Sequence, residues 1–119
     1  MSAPEHEKLL AYKRALEVAG CAELVIREIP PHHHDLRDQM RRASTSVVLN
    51  LAEGAAEFRP AEKARLYRIA LRSGAECQAV LDVLKAVGVE CSEAPRMHSL
   101  LRETCALTTR LIHAVEARA

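Results

Sequence analysis

Apolar residues return every third or fourth position along four stretches of this chain. Beside two of those stripes runs a row of polar residues that is just as regular. Leu36, Met40, Ala43, Val47 and Leu51 form one stripe, flanked by Arg42, Ser46, Asn50 and Glu53. Leu66, Ile69, Ser73, Cys77 and Val80 form another, flanked by Arg65, Arg68, Arg72 and Glu76. That spacing is the helical period, with one face of each helix turned toward a core. The pattern predicts an all-α fold, an antiparallel four-helix bundle of up-down-up-down order, as one domain over residues 1–119.

Punctuation along the chain sets the helix ends. Helix 1 is predicted from Glu5 to Glu28, with Pro4 in a first-turn position and Leu9, Tyr12, Leu16, Ala19, Ile26 and Ile29 as its apolar face. Gly20 weakens it in the middle, and Pro30 and Pro31 stop it because neither has an N–H to donate. Helix 2 is predicted from Asp35, as N-cap, to Glu57. Helix 3 starts at Pro60 or Ala61 and runs to Val87, with Glu62 at the positive end of its dipole and Gly88 as the stop. Helix 4 begins near Pro95, after Ser92 or Glu93, and presents Met97, Leu101, Thr104, Thr108, Leu111 and Val115. The connections are short, so consecutive helices are antiparallel neighbours.

In an antiparallel pair, facing residues have numbers of constant sum. Arg42 then faces Glu76, Ser46 faces Arg72, Asn50 faces Arg68, and Glu53 faces Arg65. The eight form a polar ladder between helices 2 and 3 that fixes register, or a network shared across a subunit interface. Helix 2 is also apolar nearly all round between Val47 and Ala56, a pattern expected of a helix covered on every side. Val48, Leu49 and Ala52 lie outside the main stripe, so they are expected to meet another subunit.

Composition narrows the function classes. Apolar content of 49% in 119 residues is enough for a core without staples, and aromatics at 3% leave Leu, Ala and Val to fill it. The formal net charge is +1, and no quarter of the chain departs from neutrality by more than one charge, which argues against nucleic-acid binding by bulk charge. The four cysteines form no C-x-x-C pair, so neither a zinc site nor a redox motif is read, and no cofactor is expected. Cys77 lies on an apolar stripe as a small core residue. No signal peptide or membrane-spanning run is read; a cytoplasmic protein with reduced thiols and no membrane partner is expected. His32, His33 and His34 are adjacent, and adjacent residues rarely converge on one metal ion, so a solvated loop is expected there.

The stretch 36–87 resembles the bacterial four-helix-bundle family that includes the 23S rRNA intervening-sequence proteins. The resemblance is carried by Asp38-Gln39-Met40-Arg41-Arg42-Ala43 and by Ser46-Val47-Val48-Leu49-Asn50-Leu51-Ala52-Glu53-Gly54. It continues in Tyr67-Arg68-Ile69-Ala70 and Arg72-Ser73-Gly74-Ala75-Glu76. It implies a pentamer of bundles around a central opening, in keeping with the surplus apolar cover on helix 2. It is also distantly similar to accessory proteins of diversity-generating retroelements, which bind nucleic acid and partner with a reverse transcriptase. Ala55-Ala56-Glu57-Phe58 precedes Arg59, where the family pattern turns basic sooner.

No nucleophile–base–orienter set is visible, so no enzyme is expected. The expected function is a homo-oligomeric scaffold or adaptor, whose partners are copies of itself and a protein. The alternative is RNA or DNA binding through Arg37, Arg41, Arg65, Arg68 and Arg72 on the assembled oligomer. Arg65, Arg68 and Arg72 fall within about one-sixth of a helix circumference, but no aromatic residues interleave them to stack single-stranded bases.

Overall fold

Five elements follow one another along residues 3–118, the part of the chain described by the computed structural model. They are α1 (Ala3–Glu28), a 3-10 turn (Pro31–His33), α2 (His34–Ala56), α3 (Pro60–Ala86) and α4 (Ala94–Arg118). Each helix packs on its chain neighbours, and α1 also packs on α4, so the four close into a square bundle 46 × 22 × 19 Å across. The predicted architecture and element order are those observed.

The core runs along the bundle axis in two clusters. One gathers Val18, Val25, Met40, Leu84, Met97 and Leu101; the other gathers Ala11, Ala15, Leu51, Tyr67, Leu107 and Leu111. The stripes read for α2, α3 and α4 turn inward as expected, and Cys77 is fully buried. The face read for α1 is only half right. Ile26 and Ile29 are buried, but Leu9 and Leu16 are 42% and 46% exposed. Ala11, Ala15, Val18, Ala22 and Val25 take the inward positions instead. These residues are smaller, so α1 sits close to its neighbours and the large leucines turn out to its rim.

Helix ends are secured by side chains from other helices. Asp35 is not the N-cap of α2: the 3-10 turn carries the chain into the helix at His34, and His33 occupies the cap without a side-chain hydrogen bond. Asp35 sits in the first turn, where its charge favours the helix dipole. His32 and His34 are exposed, and the His32 and His33 rings lie 4.2 Å apart. Arg37 of α2 donates to the Ile29 carbonyl just past α1, with its Nε at 2.8 Å. Lys63 of α3 donates to the carbonyls of Gly54 and Ala55 in the last turn of α2. The Glu28 carboxylate accepts from the backbone N–H groups of Ser92 and Glu93 and from the Ser92 hydroxyl, closing the start of α4. All three meet needs that a helix cannot meet internally, since its terminal N–H and C=O groups have no partner within it.

Gly88 ends α3 with φ at 82°, a conformation that side chains resist. The Gly88 N–H donates to the Lys85 carbonyl and the Val89 N–H to the Leu84 carbonyl, while Val89 packs on the cluster that holds Leu84. This is the paired hydrogen-bond pattern of a Schellman C-cap. Gly88→Ala should lower unfolding free energy by about 1 kcal/mol, because a Cβ strains the left-handed backbone. Urea titration followed by circular dichroism is the measurement; an unchanged midpoint would show that the cap tolerates alanine.

Candidate functional site

Two surfaces involve the residues singled out by the sequence: the polar ladder between α2 and α3, and the outward flank of α2. In the ladder, the Ser73 hydroxyl donates to the Ser46 hydroxyl at 2.8 Å. Asn50 donates to the Ser46 carbonyl and hydroxyl at 2.9 and 3.0 Å. Gln39 donates to Glu76 at 2.9 Å and accepts from Arg42 at 3.0 Å, so Arg42 reaches the carboxylate's partner rather than the carboxylate.

None of the four expected direct pairs forms among the described residues. Arg68 pairs with Glu116 of α4, and Arg65 with Glu62 one turn back on its own helix. Glu62 is the chief reason the Arg65 guanidinium is held above its ordinary range, with Glu53 a smaller contributor. Arg72 stands exposed without a hydrogen-bond or ion-pair partner among those residues. The physical reason is a slip of one position. Ser46 meets buried Ser73 and not Arg72; one residue along a helix is a rotation of about 100°, so Arg72 is carried out to solvent.

The quoted motifs are largely explained by close approach of the helices. Gly54 of α2 is buried, and a Cβ there would lie 2.6 and 2.7 Å from Cε1 and Cδ1 of Tyr67 on α3. A Cβ on Gly74 would lie 2.9 Å from Cys105 Sγ on α4. Both glycines are places where a neighbouring side chain occupies the space of the missing one. Tyr67 is 0% exposed, and its hydroxyl has no hydrogen-bond partner among the described residues. Burial, with Glu5 adding to it, pushes its pKa up to about 12.

The four sides of the bundle differ in chemistry. Between α1 and α4, Arg14 pairs with Glu103 and Arg110 with Glu7. Between α3 and α4, Arg68 pairs with Glu116 and His98 with Gln78. Between α2 and α3 lies the ladder. Between α1 and α2, Arg41 pairs with Glu23 at 3.0 Å and Arg37 donates to the Ile29 carbonyl, both toward the 3-10 turn. Of the three positions expected to meet another subunit, Leu49 is 54% exposed, Ala52 is exposed, and Val48 is half-buried against the chain's own core. Leu9 and Leu16 of α1 are exposed as well, where sequence reasoning placed them on the inward face. The signal was present, because Ala11, Ala15, Val18, Ala22 and Val25 already make a complete inward stripe and leave the two leucines surplus.

No activated nucleophile accompanies these surfaces. The thiols of Cys21, Cys77, Cys91 and Cys105 are all pushed above their ordinary range, in each case chiefly by burial. A surface pocket of about 800 Å³ lies between the end of α3 and the start of α4 and is lined by Leu81, Leu84, Val89, Pro95, Cys91 and His98. Among the described residues no group of three His, Cys, Asp or Glu side chains is placed to hold a metal ion, and no helix is long and apolar enough to cross a membrane.

The sequence model described as 23S rRNA-intervening sequence protein fits residues 7–112. No curated protein matches the chain.

Proposed function

The chain belongs to the 23S rRNA-intervening sequence protein family, and on that premise we propose that it is a non-enzymatic, cytoplasmic, homo-oligomeric scaffold or adaptor. The observation that carries this reading is the set of large apolar side chains left in solvent on the outer surfaces of α1 and α2. Leu9, Leu16 and Leu49 are three of the six large apolar residues the bundle leaves exposed, two on α1 and one on α2, where Leu49 lines a shallow recess with Arg42, Ser46, Asn50 and Glu53. Large apolar side chains left in solvent are the kind of surface that a second molecule covers. A pentamer is the assembly implied by the resemblance of residues 36–87. The four protonated thiols support the non-enzymatic part, since the thiolate is the reactive form.

Binding of RNA or DNA through the arginines has less support. Arg37 is held by the Ile29 carbonyl, Arg41 by Glu23, Arg65 by Glu62 and Arg68 by Glu116, which leaves Arg72 alone without a partner among the described residues. Each of the four would have to leave its partner to meet a phosphate.

The test is the mass of the protein in solution. At micromolar concentration, sedimentation should give a multiple of 13.2 kDa, and Leu49→Asp should shift the protein to smaller species while keeping its helical spectrum. A wild-type protein that sediments only as a 13.2 kDa species would sink the reading.

A further inference from the structure

Phe58 is the only phenylalanine of the chain and, at 94%, the most exposed of its large apolar residues. It lies in the turn between α2 and α3, and that turn is held in shape. The Glu57 carboxylate accepts from the Phe58 N–H at 3.1 Å, from the Arg59 N–H at 3.0 Å and from the Arg59 Nε at 3.2 Å. Pro60 then opens α3 with its φ already set. The backbone is ordered while the ring stands in water. Aromatic side chains are the anchors of protein–protein contacts, and a turn that is already ordered lowers the entropy lost on docking.

The opposite end of the bundle carries a shape that fits this tip. The pocket of about 800 Å³ between α3 and α4 has Leu81, Leu84, Val89 and Pro95 as its apolar wall. Its charged groups are three carboxylates, Glu28, Asp82 and Glu90, against the one ammonium of Lys85.

We infer that this pocket is the socket for Phe58 of a second copy, so that copies meet head to tail. The tip and the pocket lie at opposite ends of α3, whose 27 residues span about 40 Å, so no copy can fill its own pocket. The volume lies in the range of about 300–1,000 Å³ that holds a bound organic group, ample for a phenyl ring. The charges also agree. Arg59 touches Glu57 through its Nε while its side chain is 77% exposed, which leaves the outer end of the guanidinium for the carboxylates of the rim. Plug and socket are different surfaces, so the contact is heterologous and each copy offers one of each. It is independent of the homo-oligomer reading above, which concerns the outer surfaces of α1 and α2. One ring buries about 150–250 Å², less than the ~800 Å² per partner of a standard interface, so the contact forms and breaks with concentration.

The experiment uses isotope-labelled Phe58→Ser, which keeps the socket and lacks the plug, and follows its amide signals as unlabelled protein is added. Its circular dichroism should match wild type, because the replaced side chain is in solvent. Added wild type should shift the signals of residues 88–94 and of His98 progressively, with half the effect in the high micromolar range. Added Phe58→Ser should leave them in place. Exchange of copies through the sides of the bundle acts alike in both titrations, so the difference between them reads the tip alone. The homo-oligomer reading stands or falls separately, by sedimentation. No shift from wild type, or equal shifts from both proteins, overturns the inference. Shifts that need Phe58 but fall outside the pocket overturn it as well, and assign the tip to a different surface.

Discussion

Gly54→Val should destabilise the protein by about 3 kcal/mol, the upper part of the usual range for overpacking a core. The Cβ alone would sit 2.6 Å from the Tyr67 ring, and valine adds two branches beyond it. The ring is fully buried in the cluster that holds Ala64, Leu51 and Leu107, so it has no free space to retreat into. Close-packed interiors transmit such strain instead of absorbing it. The double variant Gly54→Val with Tyr67→Leu should recover part of the loss, because leucine lacks the ring atoms in conflict. Denaturant unfolding of the two singles and the double is the measurement. Additive losses would mean that the Gly54–Tyr67 approach is not what limits the site.

Tyr67→Ala should lose about 3–5 kcal/mol, as large aromatic truncations in a core do. Tyr67→Phe separates packing from the hydroxyl. The hydroxyl is buried without a partner among the described residues, and an unsatisfied buried polar group costs about 1–3 kcal/mol. Phenylalanine should therefore match or exceed wild type in stability. The same residue gives an alkaline signature. Its pKa is raised from 10.0 to about 12 on folding, so the folded state favours the protonated phenol. The associated stability is fully present below pH 10 and is lost as the pH rises through about 12. Cys77, raised from 9.0 to about 12 by burial, acts in the same direction from pH 9 upward. Wild type should lose stability on that limb, and Tyr67→Phe should lose less. Equal losses would assign the whole effect to other groups.

The fold was legible because the apolar period is long and clean in α2, α3 and α4. Each of those stripes contains residues large enough to announce an inward face, and Pro30, Pro60 and Gly88 mark the breaks. α1 misled because its core face is built from alanines and valines while its leucines face out, so residue size pointed to the wrong rim. The ladder was legible as two rows and illegible as pairs. A register that is right to within one residue places the rows together, yet the difference between Arg72 and Ser73 is a third of a turn. Gln39 continues the α2 row one turn before Arg42 and was readable there, whereas Glu116 enters from α4, where no pattern on α2 or α3 marks it. The caps escaped for a related reason: Glu28 and Lys63 act on helix ends distant in sequence, whereas capping signals are read from adjacent residues.

Those caps also decide how far the chain can be divided. Carbonyls at the end of α1 are held by α2, those at the end of α2 by α3, and the opening amides of α4 by a carboxylate from α1. Three of the four helices depend on another helix at one end, while α3 closes its own C-terminus at Gly88. A fragment cut in the loop after Ala56 would leave the last carbonyls of α2 without Lys63, and one cut before Ala94 would strand Glu28 without its donors. Separated hairpins would thus lose polar partners as well as apolar cover, which makes the whole bundle, and not the hairpin, the smallest piece that keeps its backbone ends satisfied.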